Sequence, residues 1–332
     1  MTTTSIFPTE RIQAIFSQLE SHVESHMDKY LKRVDSLWQP SDHSPDISDE
    51  NENLAQHRLA APEVTIEQLI VLVGNTITED ALPTYSASLS RLVEDKTGIS
   101  DNPLAVAARR WEAEERRHGS LLDQHLRIDR RVNMKKVEET INYLIQDGFT
   151  TGGMNPVEGF VYTSFQERAT HIAHKKLGQL IGKNNPFVSN SCRIIADDEA
   201  RHEGYYKTVL LKKIFEIDPE VALAAYYQMM FQTIKMPALR MRDSPIRKDG
   251  ETLFDQFSKV AQKIGVYTSE DYISIVEHLN SHWGIEAINI GSETSSKQRD
   301  RLVTLPQTLR RAAKRKQSAD YKIPQFSWIR DN

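Results

Sequence analysis

Apolar residues in this chain recur mainly at steps of three and four. Leu104, Ala108, Trp111 and Leu122 follow that spacing, and so do Cys192, Ile195, Tyr206 and Val209. This is the stripe a helix turns toward a core. The pattern predicts long helices over residues 9–37, 65–92, 103–129, 133–146, 156–180, 186–215 and 218–234. Shorter helices are predicted near 252–264, 269–282 and 306–316. The Asn102-Pro103 step suits a helix start, because proline at the first helical position gives up no bonded N–H. Residues 39–62 are dense in Ser, Asp, Asn and Pro and read as a polar connecting loop, and 150–154 as a glycine-rich loop. No period-two strand pattern is present. The expected class is all-α, in one domain: a core bundle at about 65–215, an N-terminal helix and loop over 1–64, and a helical extension over 216–332.

Composition narrows the function classes. Of 332 residues, 39% are hydrophobic and 27% charged, an ordinary globular balance. A net charge of −4 argues against bulk nucleic-acid binding. The lone cysteine, Cys192, forbids an internal disulfide and a thiolate metal cluster, and reads as a small buried hydrophobe. No apolar run approaches the ~18 residues needed to span a bilayer. Met1 to Pro8 show no basic and apolar leader pattern, so the expected location is cytoplasmic.

Two Glu-x-x-His elements carry the candidate chemistry: Glu115 with His118, and Glu199 with His202. Residues three apart share a helix face, so each pair can reach one metal together. The tetrad alone is weak evidence. With 11 histidines among 46 acidic residues, about one or two such pairs arise by chance. Their placement is stronger evidence, because both interrupt otherwise apolar seams. A buried carboxylate needs compensation. Arg116, Arg117 and Arg201 are expected to lie off the seam, which favours a metal. A di-metal bundle site takes one further Glu from each of two other helices. Glu79 and Glu167 are the candidates, with a solvated surface Glu as the equal alternative for each on periodicity alone. In chain order the half-motif then occurs twice, and four carboxylates match the charge of two divalent cations. Oxygen and imidazole donors suit iron or manganese.

Around these residues the sequence resembles the soluble acyl-acyl-carrier-protein desaturases. The resemblance rests on ITEDALPTY (77–85), WEAEERRHGSLL (111–122), GFVYTSFQERATHIAH (159–174) and IADDEARHEGYY (195–206). Further matches are WQP (38–40), LIVLVGNTITE (69–79), KMPA (235–238), VAQKIGVYTSEDY (260–272) and FSWI (326–329). It implies a ferritin-like four-helix di-iron bundle extended by additional helices, and two iron ions held by Glu79, Glu115, His118, Glu167, Glu199 and His202. It also implies a homodimer, ferredoxin as electron donor, and a cis double bond placed by O₂ in a fatty acyl chain on acyl carrier protein. Thr170 matches a threonine beside the O₂ site. Trp38 and Asp198 match a pair that carries electrons inward with His118; packing and a hydrogen bond to a ligand histidine are the plainer readings of these two. Gly159 and Phe160 match positions lining a substrate tunnel. The segment between Tyr85 and Trp111 differs from the plant pattern where it shapes that tunnel's far end, so acyl length and double-bond position turn on it. His171 and His174 read as ordinary satisfied histidines.

The acidic carrier protein calls for a basic docking surface. One candidate cluster is Lys207, Lys212, Lys213, Arg240, Arg242, Arg247 and Lys248. Another is Arg310, Arg311, Lys314, Arg315 and Lys316. A solvated helix face is the alternative for each residue. Competing functions are a ferritin-like iron-handling bundle and a related di-iron oxidase or N-oxygenase. The long region after Asp243 favours an enzyme with a substrate and a partner.

Overall fold

A computed structural model describes residues 7–45, 52–149, 155–231, 236–245, 252–315 and 323–330, and among these the regular structure is helical apart from one isolated bridge. In order, the helices are α1 (Thr9–Tyr30), α2 (Glu52–Ala60), α3 (Ile66–Asp80), α4 (Leu82–Leu92), α5 (Pro103–Ile128), α6 (Met134–Asp147) and α7 (Pro156–Ile181). Then come α8 (Pro186–Gly204), α9 (Lys213–Ile217), α10 (Pro219–Phe231), α11 (Leu253–Lys263), α12 (Ser269–His282) and α13 (Glu293–Arg315). The expected all-α class holds. The glycine-rich segment 150–154 lies outside the described residues, as do Arg247, Lys248 and Lys316.

Helices α3, α5, α7 and α8 form the central bundle, with α7 and α8 the most closely paired. Local sequence starts each one. Asn102, Asn155 and Asn185 precede a proline, and each Asn side chain accepts a backbone N–H of the first turn at 2.9–3.1 Å. Thr65 and Gln68 close a capping box at the start of α3. Helix α1 buries Ile12, Ile15, Leu19, Val23 and Met27 along one face and packs on α5 and on the continuation of α8. The C-terminal segment returns to α6: Trp328 is fully buried, its indole N–H donates to Thr140 at 3.0 Å, and Ile329 bridges to Val132.

Five boundaries differ from the sequence pattern, each for a physical reason. Helix α1 stops at Tyr30 instead of running to Leu37, because Leu31 turns extended (φ −114°, ψ 110°) and buries its side chain. The polar stretch 39–62 contains α2, whose inward residues are Leu54 and His57. The run 65–92 splits at Ala81, two residues before Pro83, which has no N–H to return to the Glu79 carbonyl. The 186–215 run is unbroken but widens into a π-helix over Tyr205–Lys212, where Tyr205, Tyr206, Val209, Leu210 and Leu211 are all buried. Finally, α13 begins at Glu293 and keeps Pro306 inside it. The carbonyl of Leu302, four residues earlier, has lost its helical donor and accepts from the Asn280 side chain at 2.9 Å.

Candidate metal centre

Four helices deliver six side chains to one point. Glu79 comes from α3, Glu115 and His118 from α5, Glu167 from α7, and Glu199 and His202 from α8. All six are buried. They form two overlapping quartets, Glu79–Glu115–His118–Glu199 and Glu115–Glu167–Glu199–His202, each with donor atoms within 4.8 Å of one another. Glu115 and Glu199 belong to both. His118 Nδ1 lies 3.4 Å from Glu115, 3.6 Å from Glu199 and 3.7 Å from Glu79. His202 Nδ1 lies 2.6 Å from Glu115, 3.6 Å from Glu167 and 3.7 Å from Glu199.

These atoms fit a pair of divalent cations. His118 Nδ1 and Glu199 Oε2 are buried and make no hydrogen bond, and His202 Nδ1 and Glu115 Oε1 crowd each other without hydrogen-bond geometry, although buried polar atoms are normally paired. The charge balance points the same way. Burial opposes charge on Glu115, but His118 and His202 outweigh it and hold its carboxyl down at about 2. Glu79 is also held below its ordinary value, burial being outweighed by His118 and His174. Glu199 and Glu167 go the other way: burial and the neighbouring Glu115 push both up. Four crowded carboxylates thus cannot all ionise without cations among them.

A second layer of charge stands behind the histidines. His118 Nε2 lies 3.5 Å from Asp198, and His202 Nε2 lies 3.2 Å from Glu114. Each acid sits immediately before the metal-facing Glu of the opposite helix, so Glu114-Glu115-x-Arg117-His118 and Asp198-Glu199-x-Arg201-His202 are one pentad used twice. Arg116 is exposed, off the seam as the pattern suggested, but Arg117 and Arg201 turn inward. Arg117 is buried and donates to Asp198 at 2.7 Å; Arg201 donates to Glu114 at 2.6 Å and also pairs with Asp198. They neutralise the outer acids and leave the inner carboxylates to the imidazoles. Glu114 was not singled out by the sequence, since it looks like one more charge on a charged helix; the repeated pentad was the available signal.

Trp38 stacks on His118 with ring centroids 6.1 Å apart and donates its indole N–H to Asp198 at 2.9 Å. The Arg117 guanidinium lies 4.1 Å above the same indole. Thr170 donates to the carbonyls of Gln166 and Glu167 and lines a cavity of about 50 Å³ together with Glu79, Glu115, Glu167 and Glu199. A neighbouring cavity of about 30 Å³ shares Tyr85, Trp111 and Gln166 as walls and runs on to Leu89, Leu92 and Gly159. At Gly159 a Cβ would stand 2.2 Å from a methyl of Leu92, so the glycine gives Leu92 its place at the cavity wall. Phe160 is not a wall of either cavity; it is buried against Phe16 and Tyr206. His171 donates to the Ala196 carbonyl at 2.7 Å, and His174 pairs with Glu79 at 2.9 Å. Both are partnered, as expected, although His174 touches the centre. Cys192 is buried, its thiol pushed up to about 12 by burial.

Of the nine candidate docking cations among the described residues, five are engaged. Lys207 pairs with Glu203, Lys213 with Glu216, Arg242 with Asp147, and Arg310 with Glu270 and Glu277, while Arg240 donates to the Asp147 carbonyl. Lys212, Arg311, Lys314 and Arg315 are exposed.

Comparison with known proteins points to one group. The family described as fatty acid desaturase matches residues 11–330. The chloroplastic stearoyl-[acyl-carrier-protein] 9-desaturase of Olea europaea is 42% identical, over 98% of this chain and 84% of its own. That of Spinacia oleracea is 41% identical, over 99% and 83%. Among solved structures, a putative acyl-ACP desaturase, DesA2 of Mycobacterium tuberculosis, shares the fold with a TM-score of 0.52 at 19% identity, covering 86% of this chain and 99% of that one.

Proposed function

The chain belongs to the fatty acid desaturase family, and from that premise we propose that it is an acyl-[acyl-carrier-protein] desaturase with a di-iron centre. The reading is carried by the two buried quartets that share Glu115 and Glu199 and open on a cavity. Glu79, Glu115, His118 and Glu199 would hold one iron, and Glu115, Glu167, Glu199 and His202 the other. When bound, the iron pair supplies the capacity to activate O₂ with electrons from ferredoxin. The overall change takes one O₂, two electrons, two protons and two substrate hydrogens to a cis double bond and two waters.

The protein's own groups orient and exclude. Trp111 donates its indole N–H to Glu167 at 3.1 Å and walls both cavities, fixing that carboxylate while it shapes the space for an apolar chain. Thr170 offers a hydroxyl on the same cavity, and we assign proton delivery to its Oγ1. Trp38 and Asp198 form a hydrogen-bonded path from the outer face of the bundle to His118, suited to bringing electrons in. Acyl carrier protein presents the substrate, with the exposed end of α13 (Arg311, Lys314, Arg315) as the candidate contact. A homodimer in the cytoplasm completes the proposal. Among the described residues no helix is long and apolar enough to cross a membrane.

The iron-handling alternative explains the quartets but not the cavity walled by Leu89, Leu92, Trp111 and Tyr162. The test is anaerobic reconstitution with ferrous iron, followed by ferredoxin, its reductase and a panel of acyl carrier protein thioesters. The expected outcome is two irons per chain and products lighter by two hydrogens. Stoichiometric zinc with no iron uptake and no O₂ consumption would overturn the proposal.

A further inference from the structure

Each histidine of the centre leans on a buried acid, but the two acids have different surroundings. Asp198 meets the Trp38 indole. Glu114 meets main chain. It is completely buried on α5, and its Oε1 accepts the backbone N–H of Lys32 at 2.6 Å. Its Oε2 faces Arg201 at 2.6 Å and His202 Nε2 at 3.2 Å. Arg201 in turn donates to the carbonyl of Tyr30 at 2.8 Å. The Tyr30 ring lies so close on α8 that a Cβ at Gly204 would stand 2.5 Å from it. The segment that leaves α1 and leads to Trp38 is therefore fastened to His202 through one carboxylate and one guanidinium.

We propose that Glu114 is a positioning residue for His202 that also couples docking of the 30–38 segment to metal loading. The physical reason is acceptor chemistry. A carboxylate only accepts, so it must receive the Nε2–H of His202, which leaves the Nδ1 lone pair facing the quartet. The same carboxylate holds the Lys32 amide. A cation on Nδ1 stops the ring from turning, the fixed ring holds Glu114, and Glu114 keeps the Lys32 amide closed. Coupling of this kind is reciprocal: a docked segment tightens metal binding by the factor by which metal tightens docking. The proposal rests on the metal-binding reading above and goes beyond it in assigning Glu114 and the 30–38 segment.

The test uses metal-free full-length protein, anaerobic titration with Co(II), and hydrogen exchange of the 30–38 segment followed by mass spectrometry. Wild type should take two Co(II) per chain, and exchange over 30–38 should slow by at least about fivefold on loading. Glu114→Gln places an amide N–H₂ against donors. It should weaken one of the two sites by about 10- to 100-fold and remove the metal-dependent protection, while Glu114→Asp recovers part of both. If Glu114→Gln does not fold, wild type with and without Co(II) still decides. Two bound Co(II) with unchanged exchange over 30–38, or a folded Glu114→Gln with both affinities and the protection intact, overturns the inference alone. Failure of wild type to take two Co(II) removes the metal-binding reading, and this inference with it.

Discussion

Glu115 and Glu199 are unlike the other four metal-facing residues, because each serves both quartets. Glu115→Ala should therefore empty both positions, whereas His118→Ala should chiefly weaken one. Metal content after gel filtration separates the two outcomes. A second residue-level effect lies outside the centre. His57 stacks on Phe187 and on His125, and His125 Nε2 bonds Ser191 at 2.7 Å. Asp129, paired with Arg131, and Asn185 wall the same small cavity. Burial lowers His57 to about 4, and burial followed by His57 lowers His125 to about 3. These folded-state values lie below the unfolded value of about 6.5, so the neutral imidazoles stabilise the fold above that pH. As pH falls from 6.5 toward 4, the unfolded chain takes up the protons first and stability drops, by on the order of 2 kcal/mol per histidine at pH 5. His57→Leu should flatten that slope in urea melts between pH 7 and 5; an unchanged slope would rule the pair out.

At the scale of elements, most of the fold was legible because helices here announce themselves with Asn-Pro starts and apolar seams. What escaped depended on distant partners. Helix α2 is held by Leu54 and by a histidine acting as an apolar anchor, which no hydropathy count would credit. Pro306 looked like a helix start because nothing local reveals that Asn280, on α12, would relieve the carbonyl it strands. That relief is testable. Asn280→Ala should cost about 1 kcal/mol in thermal melts, and the cost should fall when Pro306→Ala restores the helical donor, a coupling that a double-mutant cycle reads directly. The candidate site divides the same way. The tetrads stood out through their spacing within apolar seams; chain order made Glu79 and Glu167 candidates, with a solvated Glu as the equal alternative, and the resemblance then implied them as ligands. Glu114 acts across helices, and single-helix periodicity carries no trace of that.

Taken whole, the molecule is a helical bundle wrapped by its own N-terminal helix and closed by Trp328 against α6. Its interior crowds four carboxylates around one point, where burial and Glu115 disfavour charge on Glu167 and Glu199 and cations would favour it. Loading should therefore stabilise the entire fold, by about 2.7 kcal/mol for each filled site at a free metal concentration one hundred times its dissociation constant. Removal with a chelator should lower the melting temperature reversibly, and a melting point indifferent to the chelator would contradict this.

The square of Arg117, Arg201, Glu114 and Asp198 has one more consequence, for the solution around the protein. Dissolved ions weaken attraction between charges they can approach, and the Debye length falls to about 3 Å in 1 M salt. They reach an outer pair such as Arg193 with Asp197, whose side chains are more than half exposed, far more readily than a square in which Arg117, Glu114 and Asp198 are buried and only Arg201 is partly exposed. Brine should loosen the protein's skin and leave the histidines at its heart where they stand.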